Sequence, residues 1–154
     1  METTHRYEVR AKATRVRSGV VASDEIPSPI IFSAPPEFSG EAHVWTPEHF
    51  FVAALVSCYV STFSGMSDLS KFHFFSLEVE AEGVVEKGES GWKFTEIQLR
   101  PTLKIAREED RERGARLLEK AERNCLIARS ITARVSLGST IKVVPEFVLA
   151  EAVQ

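Results

Sequence analysis

The stretch Thr46–Phe63, TPEHFFVAALVSCYVSTF, limits what this chain can fold into more than any other part of it. Thr46 is a favourable N-cap, Pro47 suits the first helical position, and Glu48 sets a carboxylate against the positive end of the helix dipole. Phe50 to Val56 then run without a polar residue until Ser57. A helix that is apolar all round has to be covered on every side. The run is too short and too well capped for a membrane span, which takes roughly 20 apolar residues. The expectation is a central core helix that stops near Ser64–Gly65, with Cys58 locked inside the protein or an interface.

The rest of the chain reads as strands with one further helix. Tyr7, Val9, Ala11, Ala13 and Val16 alternate with charged residues between His5 and Val16, which predicts a half-exposed strand. Val20–Ala22 begins a second strand after the Ser18-Gly19 turn. Asp24–Pro29 reads as a turn, Ile30–Phe32 as a short strand, and Pro35–Trp45 as a loop. Phe74–Val85 alternates again, and Lys87–Gly91 is a hairpin turn. The strand from Trp92 to Ile105 carries Pro101, which argues for an edge or a bulge. Arg107–Asn124 is a charged helix that turns Leu118, Ala121 and Cys125 to one face, its Glu and Arg residues forming a solvated surface. Thr132–Val144 is a strand pair, or one long strand broken around Gly138. This order is an α+β pattern, expected as a single domain over residues 1–154.

Bulk properties exclude several classes. A formal net charge of −3 offers no basic patch for nucleic acid, and 44% hydrophobic residues suit an ordinary core. The polar N-terminus METTHRYEVRAK lacks the pattern of a signal peptide, so a cytoplasmic location without membrane attachment is expected. The two cysteines lie too far apart for a Cys-x-x-Cys motif or a zinc ribbon. His43, His49, Cys58 and Cys125 have no ligand spacing, so no metal or other cofactor is expected. On residues alone, the cysteines are either small core hydrophobes or a working redox pair.

The pattern TPE-HFFVAALVSC followed by AERNCLIARSI resembles the OsmC/Ohr family, the osmotically inducible and organic hydroperoxide resistance proteins. Typical members open the helix with Asn-Pro-Glu, carry a cysteine ten positions after that glutamate, and place a second cysteine after Asn or Val downstream. Cys58 stands ten positions after Glu48, and Cys125 follows Asn124. The resemblance implies antiparallel sheets wrapped around a buried, cysteine-bearing helix in an intertwined homodimer. It also implies a thiol-dependent peroxidase that reduces organic hydroperoxides in oxidative stress defence. Cys58 matches the peroxidatic cysteine, Cys125 the resolving one and Glu48 the active-site glutamate. Arg17 matches the active-site arginine of an early strand, with Arg15 two residues away on the same face. A dithiol such as a dihydrolipoyl protein would be the reductant. Leu126 and Ala128 depart from the proline and serine that many members carry after the second cysteine. They keep an alternative open: a non-catalytic dimer that binds an apolar ligand or senses redox state.

Helix geometry adds one expectation. Ten residues of α-helix span about 15 Å, so Glu48 and Cys58 of one chain cannot touch. A site that uses both would take its glutamate from an antiparallel partner helix.

Overall fold

The computed structural model describes residues 3–145; the outermost residues of the expected 1–154 domain lie outside it. The chain divides into two compact units at Phe51 and Val52, and the long helix α1 (Pro47–Leu69) runs through the division.

The first unit is a three-stranded antiparallel meander, β1 (Arg10–Arg15), β2 (Ser18–Ser23) and β3 (Ile26–Ser33), in the order β1-β2-β3. The strand expected from His5 begins only at Arg10, and it is exposed on both faces rather than one. Asp24–Pro29, expected as a turn, is mostly strand. β3 tolerates Pro27 and Pro29 because it lies at the edge of the meander, where a missing N–H costs no ladder bond. A short 3-10 turn over Pro36–Phe38 then leads to α1. The Thr46 cap forms as expected: the His49 N–H donates to Thr46 Oγ1 at 3.2 Å, and the Thr46 N–H donates back to His49 Nδ1 at 3.3 Å. Histidine here takes the part that Glu or Gln plays in a capping box.

The second unit is built on a sheet and two helices. β4 (Ser76–Gly88) and β5 (Gly91–Ile105) form a long antiparallel hairpin joined by the two residues Glu89 and Ser90. β6 (Arg134–Leu137) and β7 (Thr140–Val143) both lie parallel to β5, so this sheet is mixed rather than antiparallel. β5 is therefore interior, which corrects the edge expected from Pro101. The proline falls where β5 passes from β6, paired over Glu96–Leu99, to β7, paired over Thr102–Ile105. The break at Gly138 leaves Pro101 unpaired on that side, where its missing N–H is tolerated. Ile97, Leu99, Leu103 and Ile105 alternate inward from β5 as the core row. α2 (Arg111–Asn124) follows a 3-10 turn at Glu108–Asp110 and buries Gly114, Leu117, Leu118 and Ala121. Its outer face carries exposed pairs such as Arg116–Glu112, the solvated surface the sequence implied.

α1 departs from expectation in two ways. It continues through Gly65 to Leu69, because Ser67 prolongs the stripe of Leu55, Tyr59 and Phe63. It ends in a Schellman motif with Lys71 left-handed at φ 54°: Phe72 N–H donates to Ser67 O at 2.8 Å and Lys71 N–H to Asp68 O at 3.1 Å. At 23 residues it is long enough to cross a bilayer, so length no longer argues against a membrane span. The helix is also not covered on every side. Only the Leu55–Tyr59–Phe63–Ser67 line is fully buried, with Phe63 packed against Phe72 and Phe74.

Gly83 of β4 allows a close approach. A Cβ there would lie 2.7 Å from the Phe94 ring and 2.8 Å from Val52 Cγ2. Gly83→Ala is expected to destabilise the protein by about 1–3 kcal/mol, measured as a lower urea midpoint with an unchanged slope.

Candidate functional site

The buried side of α1 is hydrogen-bonded to α2. Tyr59 Oη donates to the carbonyl of Leu118 at 3.1 Å, in the buried core. Burial, reinforced by the negative charge of Glu122, pushes the Tyr59 hydroxyl well above its ordinary range. Its role is therefore that of a neutral donor. Cys58 precedes Tyr59, and Cys125 stands two helical turns beyond Leu118, so this contact carries both cysteines to the same place.

Cys58 and Cys125 are free thiols close enough to affect each other's ionisation. Cys58 is half-buried rather than locked inside, while Cys125, at the end of α2, is fully buried. Their environments push them apart. Burial raises the Cys58 thiol, but the Ile127 N–H, the Cys125 thiol, the Thr62 hydroxyl and the Leu126 N–H together outweigh it and leave it below the ordinary thiol value. Burial raises Cys125, the Ala128 N–H pulls it down, and the adjacent Cys58 sulfur drives it up again, so it ends above that value. Thr62 Oγ1 lies 4.0 Å from Cys58 Sγ, one turn further along α1. The arrangement is two thiols of which Cys58 ionises more readily than Cys125.

The other expected site residues belong to the first unit. Arg17 lies in the turn between β1 and β2 rather than in a strand, left-handed at φ 64°, and its carbonyl accepts from the Ala34 N–H at 2.9 Å. Arg15, at the end of β1, is paired with Glu41 at 2.9 Å. Glu48 occupies the first turn of α1, and its Oε2 is buried without a hydrogen-bond partner among the described residues. α1 is continuous between Glu48 and Cys58, so the 15 Å separation argued above stands. Among the described residues, no group of three His, Cys, Asp or Glu side chains could hold a metal ion.

Sequence reasoning missed Thr62 and the main chain of residues 126–128. Thr62 was within reach of it, since residues four apart share a helix face. The amide donors were not, because every residue but proline carries one.

Fold and site together define a helix-backed α+β protein with a paired dithiol. Residues 40–139 match the family described as OsmC-like protein, and the chain belongs to that family. The family includes organic hydroperoxide resistance proteins. The chain is 29% identical over 108 residues to the uncharacterized protein YmaD of Bacillus subtilis, covering 68% of this chain and 72% of that one. Its fold is shared with an OsmC-like protein of unknown function from Vibrio cholerae, with TM-score 0.79 and 22% identity over 89% of this chain and 100% of that one. An organic hydroperoxide resistance protein OsmC from Legionella pneumophila has the same fold, with TM-score 0.71 and 22% identity over 91% of this chain and 100% of that one.

Removing one donor to the Cys58 sulfur is the direct check of this geometry. Thr62→Val keeps the shape and deletes the hydroxyl. It is expected to slow iodoacetamide labelling of Cys58 near neutral pH by about two- to five-fold, with Cys125 labelling unchanged, as read by peptide mass spectrometry.

Proposed function

We propose that this protein is a thiol peroxidase that reduces organic hydroperoxides through a Cys58–Cys125 cycle. The observation that carries the reading is the pairing of two sequence-distant thiols, one lowered and one raised from the ordinary value. The Cys58 thiolate attacks the distal oxygen of ROOH. The O–O bond breaks, the departing alkoxide takes a proton to become ROH, and Cys58 becomes a sulfenic acid. Cys125 then gives up its proton, its sulfur displaces hydroxide from Cys58, and water leaves as the disulfide forms. An external dithiol, of the dihydrolipoyl kind by family resemblance, restores both thiols by exchange and is itself oxidised.

Arg17 is proposed as the cation that steadies the thiolate, and Glu48 as the carboxylate that holds it. The buried, unpaired Glu48 Oε2 supports a charged partner for that carboxylate. A homodimer packed through α1 is part of the same reading. Its support is the apolar surface that α1 leaves uncovered outside the buried stripe, together with the helical separation of Glu48 from Cys58. A cytoplasmic location belongs to the proposal as well.

The test compares cumene hydroperoxide consumption with dihydrolipoamide for the wild type, Cys58→Ser and Cys125→Ser. Cys58→Ser is expected to lose activity at least a thousandfold, in the range seen when a covalent nucleophile is removed, ~10³-fold or more. Cys125→Ser is expected to stall as the sulfenic acid after one turnover. Equal rates for all three proteins would overturn the peroxidase reading and leave a binding or sensing role for the apolar surface.

A further inference from the structure

Arg17 stands in a backbone conformation that arginine does not choose for itself. Its φ of 64° lies in the left-handed region, unfavourable for a residue with a Cβ. Such a conformation persists only where the surroundings enforce it. The neighbours that enforce it converge on Glu41. On one side of the turn, Arg15 Nη2 lies 2.9 Å from Glu41 Oε1 and 3.2 Å from Oε2. On the other, the Ser18 hydroxyl donates to Glu41 Oε1 at 3.0 Å. Ser18 and Ser33 are buried with their hydroxyl oxygens 3.2 Å apart, and the Glu41 N–H donates to Ser33 Oγ at 2.9 Å. Glu41 is thus held by its main chain as well as its side chain. Its close approach depends on Gly40, where a Cβ would fall 1.5 Å from the Ala34 carbonyl oxygen. Ala34 in turn donates its N–H to Arg17 O at 2.9 Å. The Arg17 side chain is exposed, and its guanidinium has no hydrogen-bond or ion-pair partner among the described residues.

We propose that Glu41 is a positioning residue for Arg17: by engaging Arg15 and Ser18 on either side, it fixes the left-handed turn and leaves Arg17, rather than Arg15, as the guanidinium open to an anion. This role rests on the reading of Arg17 as the cation that steadies the Cys58 thiolate. Arg15 has a structural part, because its charge is already answered by a carboxylate. The partly buried Ser18–Glu41 bond carries most of the hold, since the exposed Arg15–Glu41 pair is open to water and salt.

Two measurements on the reduced full chain separate the hold from its chemical effect. Hydrogen exchange at the Ala34 amide, followed by NMR, reports the grip on the Arg17 carbonyl without any thiol chemistry. Glu41→Ala is expected to speed it on the order of tenfold, as for the loss of about one hydrogen bond. Glu41→Gln keeps an acceptor for Ser18 and is expected to restore the wild-type rate. The pH midpoint of Cys58 alkylation, read by peptide mass spectrometry, reports the cation. Arg17→Gln is expected to raise it by about one unit and Glu41→Ala by about half a unit, because a lost or misplaced cation favours the thiol. Arg15→Gln is expected to leave it within about 0.2 units. In the Arg17→Gln background Glu41→Ala is expected to add nothing, since a residue acting through another has no effect once that residue is gone. Should Glu41→Ala fail to fold, Ser18→Ala removes the same hydrogen bond from the other end. An unchanged Ala34 amide overturns the proposal, as does an equal Glu41→Ala shift in both backgrounds or an Arg15→Gln shift as large as that of Arg17→Gln. A wild-type midpoint in Arg17→Gln overturns the reading of Arg17 and this proposal with it. Neither measurement needs hydroperoxide turnover, so the peroxidase reading is judged separately by the consumption assay.

Discussion

The hydrogen bond from Tyr59 to the Leu118 carbonyl is the contact on which the rest of the second unit depends. It joins α1 to α2 between buried residues, where an unmade donor would cost on the order of 1–3 kcal/mol. The bond fixes the rotation of α1 about its axis as well as its distance from α2. Leu55 and Phe63, one turn to either side of Tyr59, follow it into the core. With that rotation set, Cys58 is held at the margin of the buried stripe, half in the protein and half out. At that margin the sulfur stays reachable from solvent, as a fully enclosed thiol would not be.

What separates the two sulfurs is small in scale. Both are desolvated, and burial alone would keep both protonated. The difference arises because donors accumulate around Cys58, whereas Cys125 has the negative end of that arrangement as its neighbour. Placing one sulfur on a helix interior and the other at a helix end produces this asymmetry without any charged side chain from either helix. α2 contributes by ending where it does, since Cys125 leaves the helix in an extended conformation.

Much of this was legible in the sequence. The cap at Thr46, the inward row of β5, the buried face of α2 and the two cysteines all follow from residue type and period. What escaped had physical causes. The end of α1 was read at Gly65, but a glycine within a packed helix is tolerated when the buried stripe continues past it, and Ser67 continues it. Pro101 argued for an edge, and only the break between β6 and β7 makes an interior position acceptable. Arg17 was read as a strand residue although its backbone is left-handed, a conformation that residue type does not announce for arginine. In the candidate site, the thiols were readable and the amides beside them were not.

The adjacency of Cys58 and Cys125 has a mechanical side. A bond between them would staple the middle of α1 to the end of α2, enclosing the whole β4–β5 hairpin in one covalent ring. Closing a ring of that size in the unfolded chain removes entropy worth about 4 kcal/mol. A molecule with that bond formed would resist unfolding by that margin relative to the dithiol form, so its thermal stability would report which of the two forms is present.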